Sequence, residues 1–242
     1  MLETVKRKVQ GLPYLLSHPL QIKHIIIRET RYLQRNRSKR KWVEWQKYGC
    51  SQHICMMQDN PAVMHASVLN AARIQTVSDM VSHLGNGLKI LDVGCGDGVI
   101  GEPLRKMGNY VVSVELPTIA ALAHRCGVPL LVAGDAEHLT FASNSFNVVL
   151  ASEVMEHLWN PRNFLDEAYR VLRADGHLII ETPEGRGGLS YDDHKHYFTV
   201  KRLEQMLGVR FTVREVKRLK ATGSAQTPTI ILLLRKSSLE KN

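Results

Sequence analysis

Between Lys89 and Pro183 the chain alternates short apolar runs with amphipathic or glycine-closed segments, and this alternation limits the fold more than any other feature. "LKILDV", "YVVSVE", "VPLLVAGD", "FNVVLAS" and "HLIIETP" are strand-length runs without period-2 polarity, so both of their faces need cover. "GVIGEPLRKMG", "PTIAALAHRCG" with Pro117 at its start, and the amphipathic stretch 161–172 read as the intervening helices. Strands that alternate with helices predict a doubly wound α/β unit, its parallel sheet covered on both sides. Upstream, apolar residues recur at helical spacing from about Ala62 to Leu84, followed by Gly85 and Gly87 as stop signals. Downstream, after a long loop (184–196), "TVKRLEQML" reads as a helix. "FTVREVKRL" and "TPTIILLLRK" read as two strands joined by a turn containing Gly223, an antiparallel end to the sheet.

The chain has 242 residues, 44% of them hydrophobic and 23% charged, enough for a substantial core. Its longest apolar run, Ile230 to Leu234, is far too short to span a bilayer. No long apolar segment follows the basic residues Lys6, Arg7 and Lys8, so no signal peptide is expected. Cys50, Cys55, Cys95 and Cys126 show no C-x-x-C spacing, which predicts a reduced, cytoplasmic chain without structural disulfide or zinc. The formal net charge of +9 is carried by the first 48 residues, where twelve Lys/Arg face three acids; the remainder is balanced. The expected organisation is a basic N-terminal helical extension, residues 1–60, acting as a lid on a binding domain at 61–242.

The stretch "LDVGCGDGVIG" (91–101) can be read in two frames. Gly96 to Gly101 form a G-x-G-x-x-G, the mark of a pyrophosphate turn. Asp92 to Gly98 form an acid followed by three alternating glycines. Both need a tight strand-to-helix turn that lets a ligand approach the backbone and a helix N-terminus. Asp92 and Asp97 would repel a pyrophosphate, but they suit a ligand with a cationic centre, an ammonium and a carboxylate. S-adenosylmethionine has all three and no phosphate. Gly101 is expected one turn into the following helix. Glu115 ends the second strand, 21 residues after Gly94, where a carboxylate can accept both ribose hydroxyls. Asp135 of "AGDAEHL" ends the third strand, where it can accept from the adenine amine. "FNVVLASEVMEHL" closes the fourth beside the place of the reactive sulfonium.

In this order "LDVGCGDG", the acid of "VVSVE", "GDAEHL", "FNVVLASEVMEHL", "NPRNFLDEAYRVLRADGHLIIETP" and "HKHYFTVKRLEQML" resemble the class I S-adenosylmethionine-dependent methyltransferase superfamily over roughly residues 88–207. The resemblance implies a Rossmann-like, seven-stranded, mostly parallel sheet with an antiparallel terminal hairpin. It also implies cofactor roles for Asp92, Gly94, Gly96, Glu115, Asp135, Ala136 and Ser152. Asn147 departs from the superfamily, which usually has Asp there in a structural role.

Methyl transfer is an in-line displacement, so the chain must mainly position a nucleophile and exclude water. A general base matters where the nucleophile carries a proton that must leave. In "SEVMEHL", Glu153 and His157 are four apart, on one face of any helix continuing from the strand, with Glu156 adjoining. This E-x-x-E-H looks like the metal set of ubiquinone-pathway O-methyltransferases and of small-RNA 3′-terminal 2′-O-methyltransferases. It is also common in relatives that use no metal, and the metal-free reading is preferred over a divalent ion such as Mg. His194 and His196 of "YDDHKHYFT" alternate, so an extended segment points both the same way. His196 resembles a structural histidine of the superfamily, which leaves His194 the better claim to act as base, with Thr199 capping the next helix. His138 falls at the adenine end and reads as wall. The expected catalytic set is therefore His194, His157 and Glu153.

"RETRYLQRNRSKRKWVEWQKYG" interleaves Arg/Lys with Tyr32, Trp42, Trp45 and Tyr48. Such a segment can bind RNA, lie on an anionic membrane surface as a peripheral contact, or form a lid with a solvated basic face. The reading adopted is methyl transfer to a hydroxyl or amine of a small-molecule or glycan-like acceptor. An RNA methyltransferase and a non-catalytic, cofactor-binding partner subunit are the alternatives.

Overall fold

The computed structural model describes residues 68–186, 194–220 and 228–238. The expected extension at 1–60 lies outside the described residues, as do the turn containing Gly223 and the residues from Tyr191 to Asp193.

Helix α1 (Val68–Leu84) precedes strand β1 (Lys89–Val93), then α2 (Gly101–Lys106), β2 (Tyr110–Glu115), α3 (Ala120–Arg125) and β3 (Leu131–Ala133). Strand β4 (Phe146–Ser152) leads through one 3-10 turn (Met155–His157) into α4 (Pro161–Val171) and β5 (Leu172–Pro183). Helix α5 (Val200–Leu207) and strands β6 (Phe211–Leu219) and β7 (Thr229–Lys236) complete the order. The seven strands form one sheet, β3-β2-β1-β4-β5-β7-β6. The pairings from β3 through β5 are parallel, while β7 pairs antiparallel with both β5 and β6. The doubly wound, mostly parallel sheet with an antiparallel end is thus as expected.

Neighbouring strand residues feed two opposite cores. Ile90, Val111, Val148, Leu150 and Ile179 pack with Val77, Met80 and Val81 of α1 and Leu104 of α2. Leu91, Val149, Ala151, Leu178 and Ile180 pack with Phe164, Leu165 and Ala168 of α4 and with Leu203 and Leu207 of α5. Because both faces are dry, these strands read as continuous apolar runs.

Local chemistry sets the helix ends. Asn160 accepts from the Arg162 N–H ahead of Pro161, and Thr199 accepts from the Arg202 N–H, so the expected Thr199 cap is present. Asn147 Oδ1 accepts from the Lys89 N–H at 2.9 Å. The amide thus supplies the acceptor a carboxylate would offer, and the departure costs nothing structurally.

Three boundaries differ from the sequence reading. Helix α3 starts at Ala120, because Leu116 O takes the N–H groups of Ile119 and Ala120 and makes the Pro117 region a turn. Gly101 is the first residue of α2 and not one turn inside it, since the glycine turns run on through Ile100. Strand β5 starts at Leu172, with a register shift against β4 and Asp175 at φ 62°, so a bulged lead-in joins "HLIIETP" directly to α4.

Candidate functional site

The parallel strands end together at one edge of the sheet, and the loops there carry almost every residue singled out above. After β1, Gly94, Gly96 and Gly98 have φ of 69°, 53° and 82°, the left-handed region that glycine enters freely. A Cβ on Gly94 would lie 2.4 Å from Val154 Cγ2, whereas one on Gly96 would meet nothing within 4 Å among the described residues. The first glycine is therefore required by packing, and the second leaves its backbone uncovered by them.

Glu115, at the end of β2, is buried and locked by the loop it faces. Its carboxylate accepts from the Gly96 N–H at 3.0 Å and the Leu116 N–H at 2.7 Å. Burial nevertheless raises its pKa, against those two hydrogen bonds. Asp92 is buried beneath the same loop, and among the described residues its Oδ2 has no hydrogen-bond partner. Burial raises its pKa to about 7 despite the opposing charge of Arg105. A Cβ on Gly101 would sit 2.6 Å from that oxygen, which explains the third motif glycine. Farther along the edge, Asp135 accepts from the Glu137 N–H at 3.0 Å and lies 3.3 Å from His138 Nδ1. Ala136 is buried beside them and His138 is exposed, as a wall residue would be.

The acid and histidine residues assemble at the ends of β4 and β5. Glu153 does not continue a helix; its φ of 54° breaks the chain direction between β4 and the 3-10 turn. The expected helical face is absent for that reason. A non-glycine residue held there costs about 1–3 kcal/mol and is found mostly where the surroundings fix it. Here the Glu153 N–H donates to Glu181 O at 2.9 Å. Among the described residues Glu153 Oε1 is buried without a hydrogen-bond partner, and burial beside Glu156 and Glu181 pushes its pKa well up. Glu156 accepts from Thr182 Oγ1 at 3.0 Å, and burial lifts its carboxyl to about 7. His157 and His194 meet edge to face, with ring centroids 4.7 Å apart. One ligand atom each from Glu156, His157 and His194 lies within 4.8 Å of the others. Those three could hold a metal ion. His194 is brought there because Lys195 and His196 donate backbone N–H groups to Glu156 O. His196 instead directs Nε2 to Leu158 O at 2.9 Å, the packing role expected of it.

Three residues that pattern reading missed complete the site. Arg73 of α1 donates to Glu181 and, at 3.0 Å, to Ser152 Oγ, while Ser152 also donates to Glu181. The Ser152 hydroxyl thus faces this buried ion pair. Glu137 accepts from the N–H groups of Trp159 and Asn160 at 2.8 and 3.1 Å and ties the third loop to the entrance of α4. The signal for Arg73 was a lone cation on a largely apolar helix stretch, and for Glu181 a lone acid in "HLIIETP". Neither names its partner 108 residues away.

A family model described as a methyltransferase domain matches residues 91–180. The chain is 36% identical over 137 residues to a ubiquinone biosynthesis O-methyltransferase of Azorhizobium caulinodans, covering 50% of this chain and 53% of that one. It is 38% identical over 108 residues to the mitochondrial ubiquinone biosynthesis O-methyltransferase of Rattus norvegicus, covering 40% and 31%. The chain thus spans about half or less of these curated relatives. Its fold is similar to the 1,6-didemethyltoxoflavin-N1-methyltransferase of Burkholderia thailandensis, solved with 1,6-didemethyltoxoflavin and S-adenosylhomocysteine. The TM-score is 0.62 at 22% identity, covering 81% of this chain and 90% of that one.

Proposed function

We propose that this chain, which belongs to the class I S-adenosylmethionine-dependent methyltransferase superfamily, transfers a methyl group to a hydroxyl of a small-molecule acceptor. One contact carries the reading. Val154, inside "SEVMEH", packs against Gly94 so closely that a Cβ there would overlap it. The glycine cradle and the acid–histidine cluster are therefore contiguous, as a donor and an acceptor must be. Hydroxyl is favoured over amine because the two curated relatives above carry the name O-methyltransferase.

The residues suit the cofactor. Asp92 offers an unpartnered buried oxygen for the ammonium, Glu115 the ribose, Asp135 the adenine amine, and Gly96 the open backbone. When bound, the cofactor supplies a methyl group on a sulfonium sulfur, an electrophile open to in-line attack. The chain's own work is to orient the acceptor oxygen and to take its proton. Orientation can supply about 7–11 kcal/mol, and a positioned base adds roughly 10²–10⁴-fold. His157 or His194 takes the hydroxyl proton, and Glu153, in its left-handed turn, lies near enough to His157 to interact with it electrostatically.

A second reading has one specific observation behind it. One carboxylate and two imidazoles within 4.8 Å of one another are a suitable donor set for a divalent cation. Glu156, His157 and His194 would hold the ion, which would acidify a bound hydroxyl. The RNA alternative draws on the basic segment, which lies outside the described residues, and on the same E-x-x-E-H with His194.

The test is transfer of labelled methyl from S-adenosylmethionine to a panel of phenols, catechols and amines. His194→Ala or His157→Ala should lower kcat by roughly 10²–10⁴-fold while S-adenosylhomocysteine binding holds. Loss of transfer on chelation, restored by Mg, selects the metal-assisted form. Methylation of amines alone would sink the hydroxyl assignment.

A further inference from the structure

Outside the cofactor and acceptor residues, two arginines converge on one tyrosine. Arg186 lies just past the end of β5 and Arg202 in the first turn of α5. Their guanidinium carbons are 5.1 and 4.3 Å from the Tyr197 ring centroid. The backbone fixes this meeting. Glu184 and Phe198 form a parallel bridge, Gly185 N–H donates to Phe198 O, and Thr199 caps the turn that carries Arg202. Along the extended segment, His194, His196 and Phe198 face the protein, while Lys195 and Tyr197 take the opposite side. The cluster therefore sits on the outer side of the strand whose inner side presents His194.

The chemistry of the cluster is mismatched as it stands. The cationic guanidiniums, Arg186 first and then Arg202, hold the Tyr197 phenol below its ordinary pKa range. A ring face attracts two cations but fills none of the N–H donors of forks that fit carboxylate and phosphate bidentately. The acid next to Arg186 in the chain is committed elsewhere, since Glu184 pairs with Arg218 at 2.9 Å. Among the described residues, no carboxylate forms an ion pair with Arg186 or Arg202.

The geometry points to an oxyanion site at this cluster, separate from the methyl-transfer site. Arg186 and Arg202 bind a phosphate group, free or as the monoester end of a larger molecule, beside the Tyr197 ring over which both guanidiniums now lie. Its occupant bridges the end of β5 and the first turn of α5, the two anchors of the segment that carries His194.

The experiment uses the full chain with S-adenosylhomocysteine present, titrated calorimetrically with inorganic phosphate and, separately, with phosphatidylcholine vesicles containing phosphatidic acid. Saturable binding of phosphate is expected, weakened about tenfold by Arg186→Gln or Arg202→Gln and lost in the double variant. Tyr197→Phe keeps the ring that the two guanidiniums lie over and should leave binding unchanged. Binding to vesicles that phosphate competes away assigns the lipid source, and binding of phosphate alone assigns the free one. Binding in neither arm, or binding indifferent to the double Arg variant, overturns the proposal. S-adenosylhomocysteine affinity, measured on each sample, reports folding and the cofactor reading independently of the anion result.

Discussion

Two regions at the same edge of the sheet bury carboxylates, and they do it in opposite ways. At the glycine loop, Glu115 is satisfied by backbone N–H groups one and nineteen residues away. At the ends of β4 and β5, Glu181 and Glu156 depend on side chains far off in sequence, Arg73 and Thr182. The first uses backbone N–H groups, which every non-proline residue carries, so the motif that shapes the loop encodes it. The second is assembled by the sheet topology. Among the described residues both regions keep a buried oxygen without a hydrogen-bond partner, at Asp92 beneath the loop and at Glu153 and Glu156. Burial raises the pKa of all three carboxyls, and such costly groups suit a site that binds a ligand.

The comparison breaks most sharply at Arg73. Replacing it by Met leaves Glu181 buried without its cation, a change expected to cost about 3–5 kcal/mol. Chemical denaturation should show that loss, and Arg73→Met with Glu181→Leu should recover most of it. A single variant with unchanged stability would mean the pair does not organise this region.

The glycine-loop side is sharpened by pH. The Asp92 carboxyl is lifted from 3.8 to about 7 by burial, so the folded state holds its proton more tightly than the unfolded state does. Stability contributed this way is complete below the unfolded pKa and is lost as pH rises from about 4 to 7. Asp92→Asn should remove that slope and stabilise the ligand-free protein above pH 7, by about 4 kcal/mol at most. Cofactor affinity should rise over the same window in the wild type, because the ionised carboxylate favours an ammonium. Thermal unfolding and binding isotherms at pH 5 and 8 check both signs.

A smaller effect tests the seam between the two regions. Gly94→Ala meets Val154 and loses the left-handed preference, so it should destabilise by about 1–3 kcal/mol. Val154→Ala should relieve the clash but not the backbone strain, giving partial recovery in a double-mutant cycle. Full additivity would separate the cradle from the cluster.

What was legible follows the same division. The strand runs, the glycine loop and the Thr199 cap follow from the residue types at those places, and their expected places hold. The left-handed turn at Glu153 was not legible, because nothing in "SEVMEH" distinguishes a strained turn from the first turn of a helix. Nor was the ion pair of Arg73 with Glu181, since its geometry exists only once α1 packs across β4 and β5. The early start of β5 was hidden by the polar "RADG", which reads as a loop although it forms a bulged strand.

The central claim is that the acid-led glycine loop, with Glu115 opposite, binds S-adenosylmethionine. Calorimetric titration of the full chain with S-adenosylhomocysteine tests it most directly. A single saturable site is predicted, weakened at least tenfold by Glu115→Ala through loss of the ribose acceptor. Absence of binding, or equal affinity in the Glu115→Ala variant, would contradict it.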